Sequence, residues 1–116
     1  MTPLLLGDIL EGEKVNIKEI AEGIEKPWTP VVVAGVDDYH AHLGMIYGKY
    51  DFHKHNKDVF FLVVKGEIDI DVGDRTVHLK ENEGIVIKAN TIHRSKSKDK
   101  SVVMLFEAKD QTIIKV

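Results

Sequence analysis

Gly48-Lys-Tyr-Asp-Phe-His53-Lys-His55-Asn-Lys-Asp-Val59-Phe-Phe-Leu-Val-Val-Lys-Gly66 is the stretch on which the reading of this chain turns. His53 and His55 stand two residues apart. On a strand that spacing puts both imidazoles on one face, with Cα atoms roughly 6.6 Å apart. Both rings can then reach a single metal ion at about 2.1 Å. A His-x-His pair becomes a credible centre only with a third ligand and a concave setting. The run Val59 to Val64 is apolar at both parities, so one face can fill a core while the other needs a second cover. A second copy of the chain is the expected cover, and the N-terminal helix lying on that face is the alternative.

Working outward, nearly everything reads as short strands between turn signals. Val31 to Val33 opens the series. Tyr39 to Phe52 is a long extended stretch with Gly44 and Gly48 as bends or bulges. Ile68, Ile70 and Val72 alternate with Glu67, Asp69 and Asp71, the pattern of a strand with one wet face. Gly73-Asp74 closes a hairpin onto Arg75 to Leu79. The turn Glu81 to Gly84 leads into Ile85 to Ile87, and Val102 to Phe106 and Thr112 to Ile114 complete the set. One helix is expected, over about 16–25: Asn16 and Glu19 have capping-box spacing, Ile17, Ile20, Ala21 and Ile24 form a stripe, and Pro27 ends it.

The chain has 116 residues, which fits one domain over 1–116, with the helix preceding a barrel over about 30–116. A formal charge of −3 creates no field that would gather nucleic acid. Cysteine is absent, which excludes disulfide frameworks, thiolate metal sites and cysteine nucleophiles. Met1 to Glu11 carries no basic leader and meets Asp8 early, and the apolar runs are too short to span a bilayer, so a soluble, cytoplasmic protein without nucleic-acid or membrane partners is expected.

A second stretch, Gly84-Ile-Val-Ile-Lys-Ala-Asn-Thr-Ile-His93-Arg94, supplies a third histidine. Together the two stretches closely resemble the paired motifs of the cupins: glycine, His-x-His, a glutamate and glycine in the first, then a turn leading into a histidine in the second. In the second turn Lys88 stands where proline is usual and Asn90 where glycine is usual. Asn90 is a physically sensible replacement, since asparagine tolerates positive φ. The chain looks most like the small single-domain cupins often described as mannose-6-phosphate isomerase-like. The resemblance implies a mainly β fold, a double-stranded β-helix or jelly-roll barrel with one short N-terminal helix. It also implies a frequent homodimer and a divalent transition metal ion (Fe, Mn, Ni or Zn) bound inside the barrel.

The family's glutamate is missing: its place falls on Val59, at the parity of His53 and His55. Asp58 beside it has the opposite parity and becomes a fourth ligand only if a β-bulge turns it inward. Two outcomes stay open, a three-histidine site of His53, His55 and His93, or a weakened or empty one. The corresponding functions are isomerisation or oxygenation of a small polar metabolite, ligand binding or sensing without catalysis, and a structural dimer with a vestigial site. His40 and His42 could extend the site or form another; strand histidines bonded to backbone are the commoner state. His78 and the stripe Glu67, Asp69 and Asp71 are expected to face solvent, Ser95 to Lys100 to form an exposed basic loop, and Arg94 to make a surface or interface ion pair. Trp28, Phe52 and Phe61 are expected in the core or barrel lining.

Overall fold

The computed structural model describes residues 4–5 and 12–116. Met1 to Glu11, read above for a leader, lies outside those residues apart from Leu4 and Leu5. The chain runs β1 (Leu4–Leu5), α1 (Ile17–Gly23), β2 (Val31–Val36), β3 (Tyr39–Lys49), β4 (His53–His55), β5 (Val59–Lys65), β6 (Ile68–Val72), β7 (Arg75–Leu79), β8 (Gly84–Ile87), β9 (His93–Ala108) and β10 (Ile113–Lys115). No helix among the described residues is long and apolar enough to cross a membrane.

The sheet is organised around β9. Its first half pairs antiparallel with β6 and meets β4 at His53–His93, while its second half lies between β3 and β5. A strand that changes partners along its length curls the sheet, and the result is the jelly-roll barrel that the family resemblance implied. Inside it pack Ile46, Val59, Phe61, Val63, Ile68, Ile70, Leu79, Ile87 and Val103. Outside, a second cluster of Ala21, Val33, Ala41, Leu43 and Val102 lies under α1, with Ile17, Ile20, Ile24 and Val64 against it. This accounts for β3, which is buried at every position from Ala41 to Ile46: one face looks into the barrel and the other is roofed by the helix.

The same geometry answers the question raised by 59–64. Val59, Phe61 and Val63 are buried and Phe60, Leu62 and Val64 are half-buried. The helix covers the Val64 end; the Phe60 end stays partly open beside Val86, which is 53% exposed, and Phe106, which is 38% exposed.

Several expectations need correction. The helix ends at Gly23 rather than at about residue 25: the Ile24 N–H still bonds back to the Ala21 carbonyl, but Ile24 itself is extended. Its start is as expected, with Asn16 Oδ1 accepting the Glu19 N–H at 3.0 Å. Gly48 is a bulge residue at φ 82°, whereas Gly44 sits in unbroken register opposite Val103. The supposed loop 95–100 belongs to β9; only Lys98 to Lys100 bulge into solvent, because Ser95 and Ser101 have buried partners on either side. Asp71 is largely buried rather than solvated. It accepts from Thr76 Oγ1 at 2.6 Å and from Arg94 Nε at 2.9 Å, with Lys96 Nζ at 3.0 Å. These donors hold its carboxyl well below the usual carboxylate range, the Thr76 hydroxyl foremost. Phe52 is 37% exposed and lies beneath the Arg94 guanidinium, 4.3 Å from its ring centroid, rather than in the core.

Candidate metal centre

Two short segments deliver the three histidines. β4 is pinned between β10 and β9, so His53 and His55 project to the interior while Lys54 points outward, half-buried. His93 opens β9 directly opposite His53, and opposed residues of an antiparallel pair share a face. The turn before His93 depends on Asn90, which sits at φ 65° and donates its N–H to the His55 carbonyl at 2.7 Å. Asparagine serves where the motif has glycine because it tolerates this left-handed conformation. The turn is thereby tied to the strand that carries the other two histidines.

The rings converge. Centroids lie 4.4 Å apart for His53–His93 and 4.9 Å apart for each pair involving His55. One nitrogen from each ring lies within 4.8 Å of the others. Tyr50 and Phe61 pack edge-on against His53 and His93, at 5.1 and 5.9 Å.

Backbone hydrogen bonds fix which nitrogen is available. His53 Nδ1 meets the Asp51 carbonyl and His93 Nδ1 the Thr91 carbonyl, both at 2.8 Å. A carbonyl can only accept, so both Nδ1 atoms carry hydrogen and both Nε2 atoms present lone pairs to the interior. This is the tautomer and orientation that metal-binding histidines use. His93 Nε2 and His55 Nδ1 are buried without any hydrogen-bond partner, as expected of atoms meant for an ion. Burial, followed by the repulsion of His93, His53 and His42, pushes His55 down to about 3. Burial likewise lowers His53 and His93 against the opposing pull of their carbonyl partners. All three are neutral at pH 7, the form that binds metal. The donor set therefore fits a divalent transition metal ion, with no carboxylate in it.

Val59 faces the barrel interior as its parity required, 1% exposed, and no bulge interrupts β5 beside it. Asp58 is consequently not turned inward. Its carboxylate accepts the Ala89 N–H and the Lys88 ammonium, each at 2.8 Å, on the outside of the turn. A fourth ligand from Asp58 would require both bonds to break.

The structure also assembles what sequence reasoning missed. His40 and His42, on the inner face of β3, meet Glu107 of β9 rather than backbone carbonyls: His40 Nε2 lies 3.3 Å and His42 Nδ1 3.4 Å from the same Oε1. Glu107 is paired across β5–β9 with Val59. Burial pushes its carboxyl up, opposed by the His40 contact, and pushes His42 down to about 4. The shared parity of His40 and His42 was visible in the sequence; the pairing of β3 with β9 that brings Glu107 to them was not. His78 is exposed as expected, with Nδ1 2.7 Å from Asp69 Oδ1. His53 and His55 of the first group and His40, His42 and Glu107 of the second line one cavity of about 270 Å³, whose walls include Trp28, Met45, Tyr50, Phe61 and Leu105.

A family model described as the cupin domain matches residues 47–108. The chain is 32% identical over 102 residues to the uncharacterized protein YdbB of Bacillus subtilis (strain 168), covering 85% of this chain and 90% of that protein. It superposes on a cupin-2 domain containing protein from Shewanella frigidimarina with TM-score 0.79 and 26% identity, covering 82% of this chain and 94% of the other. A hydroquinone 1,2-dioxygenase, PnpCD, solved in complex with Fe³⁺, shares the fold at TM-score 0.75 and 19% identity, with 85% of this chain matched to 34% of that one. With the barrel, the two histidine motifs and the family match in agreement, the chain belongs to the cupin domain family.

Proposed function

We propose that this chain is a metal-dependent cupin enzyme in which His53, His55 and His93 hold one divalent transition metal ion, Fe, Mn, Ni or Zn, and that it oxygenates or isomerises a small molecule in the barrel cavity. The observation that carries this reading is the convergence of three buried, neutral imidazoles whose free nitrogens lie within 4.8 Å of one another. When bound, such an ion supplies a Lewis acid whose charge three neutral ligands leave intact, which favours anionic or chelating substrates. The chain's own contribution is to hold those nitrogens and to exclude water with Trp28, Tyr50, Phe61 and Leu105. Walls of that kind favour a substrate with an apolar body and a polar, ion-binding end, narrower than the polar metabolite expected from sequence. The hydroquinone dioxygenase that shares the fold carries iron, which supports the oxygenation branch.

The experiment is elemental analysis of the dialysed protein with oxygen-uptake assays on hydroxylated aromatic compounds, run beside His55→Ala. Metal that the variant loses, together with uptake only by the loaded parent, supports the reading. Protein that takes up no transition metal overturns it and leaves the ligand-binding or vestigial alternatives.

We also infer a homodimer. The register sets Val86, Phe60 and Phe106 side by side on the outer face of β8, β5 and β9, and Tyr39 stacks on Phe106 at 5.6 Å. Exposed apolar residues set together in this way, open beyond the reach of α1, suit pairing with the same patch of a second copy about a two-fold axis. Light scattering at micromolar concentration should return twice the chain mass; a monomer would contradict the inference.

A further inference from the structure

We propose that His40, His42 and Glu107 form a second divalent-metal site in the same barrel, separate from the three-histidine site. The cluster departs from a simple hydrogen-bonded group in three ways. Both histidine nitrogens address one oxygen, Glu107 Oε1, at 3.3 and 3.4 Å, long for hydrogen bonds involving a carboxylate. These separations match the edge of a tetrahedron, about 3.3 Å, traced by ligands at 2.0–2.1 Å from a zinc-like ion. Second, two of the cluster's polar atoms, Glu107 Oε2 and His42 Nδ1, are buried without a hydrogen-bond partner. Third, the Glu107 side chain is only 3% exposed and no Lys or Arg pairs with it among the described residues. A buried carboxylate in that position is costly until a cation joins it.

Composition and placement agree with this assignment. Two imidazoles and one carboxylate make a mixed nitrogen–oxygen set suited to Zn²⁺, Fe²⁺ or Mn²⁺, and they leave coordination positions open to the cavity. His40 and Glu107 are directly opposed across β3–β9, and His42 follows on the same face of β3, so rigid strands hold all three. The carboxylate absent from position 59 is thus present one strand away, opposite Val59, where it serves a different pair of histidines. The assignment does not depend on the three-histidine reading, and the test separates the two.

Chelator-stripped full-length protein is titrated with Zn²⁺, and bound metal per chain is measured after gel filtration for the parent, Glu107→Gln and His93→Ala. Glutamine keeps the shape of Glu107 while removing its charge, and circular dichroism confirms folding. The expected result is two ions on the parent and one on Glu107→Gln, the lost ion binding at least about 100-fold more weakly, since even indirect partners of a metal ligand are worth 10–100-fold. His93→Ala should keep the ion that Glu107→Gln loses. A stoichiometry unchanged in Glu107→Gln overturns the proposal while leaving the three-histidine site standing. A single ion lost in both variants also overturns it, because Glu107 and the three histidines would then share one ion. Should His93→Ala fail to fold, His93→Gln, closer in size to histidine, takes its place in the comparison.

Discussion

Replacing Val59 with glutamate restores the carboxylate that the family motif places there and gives a measurable test of the site's orientation. Val59 is 1% exposed, packed among the inner core residues, and opposed across the sheet by Ile87 and Glu107. In the metal-free protein the new side chain overpacks the core, at about 1–3 kcal/mol. It also buries a carboxyl without a designed partner, at about 1–3 kcal/mol more. Two carboxylates opposed across a strand pair cannot both ionise, so the variant takes up a proton rather than carry both charges. A loss near 4 kcal/mol corresponds to roughly 16 °C in a domain of this size. Mn²⁺ at about 100 times its dissociation constant returns near 2.7 kcal/mol, or about 11 °C. The assay is thermal unfolding of parent and variant in EDTA and in Mn²⁺. The Mn²⁺-minus-EDTA shift should be larger in Val59→Glu than in the parent. Equal shifts, or an EDTA melting point unchanged from the parent, would refute the placement of position 59 beside an ion.

Three further outcomes are expected. Because burial holds His55 at about 3 and His42 at about 4, the unfolded chain takes up protons below its ordinary histidine value of 6.5 that the folded chain refuses. Stability of the metal-free protein is therefore full above that value and falls as the pH drops toward 4. At pH 5 each group would cost about 2 kcal/mol, which water at the cavity mouth reduces to about 1. Glu107, pushed up by burial, works in the opposite direction. A melting point that drops by roughly 8 °C between pH 7 and 5 fits this account, and a flat profile contradicts it. Asp58→Asn should leave metal affinity within about two-fold of the parent, a tenfold weakening being the sign that Asp58 reaches the ion after all. Asn16→Ala removes the acceptor for the Glu19 N–H and should cost about 1 kcal/mol in urea unfolding; no change would mean that α1 does not depend on its cap.

What could be read from the residues was local periodicity and motif spacing. His53 and His55 at period two, His93 after a turn containing Asn90, and the alternation of buried Ile68 and Ile70 with half-buried Asp69 each follow from the geometry of a strand or a turn, and all appear in the structure. Contacts made by strand pairing across long separations were not legible. Glu107 lies 67 residues from His40, and nothing local to either announces the other. Asp71 reads as one member of an acidic stripe, yet Arg94 and Lys96 of β9 close over it because β6 and β9 pair there. Lys98 to Lys100 have the composition of a loop, and they do bulge outward, but the strand continues on both sides because Ser95 and Ser101 pair with β6 and β3. Val59 marks the limit in the other direction. Its inward orientation was plain from parity, whereas the relocation of a carboxylate to the opposing strand required the fold.

The central claim is that His53, His55 and His93 hold one transition metal ion, and anomalous X-ray diffraction from crystals loaded with Zn²⁺ tests it most directly. The account predicts an anomalous peak about 2.0–2.1 Å from Nε2 of His53 and Nε2 of His93, with a nitrogen of His55 at the same distance. Well-ordered imidazoles in the metal-loaded crystal with no peak between them would contradict it.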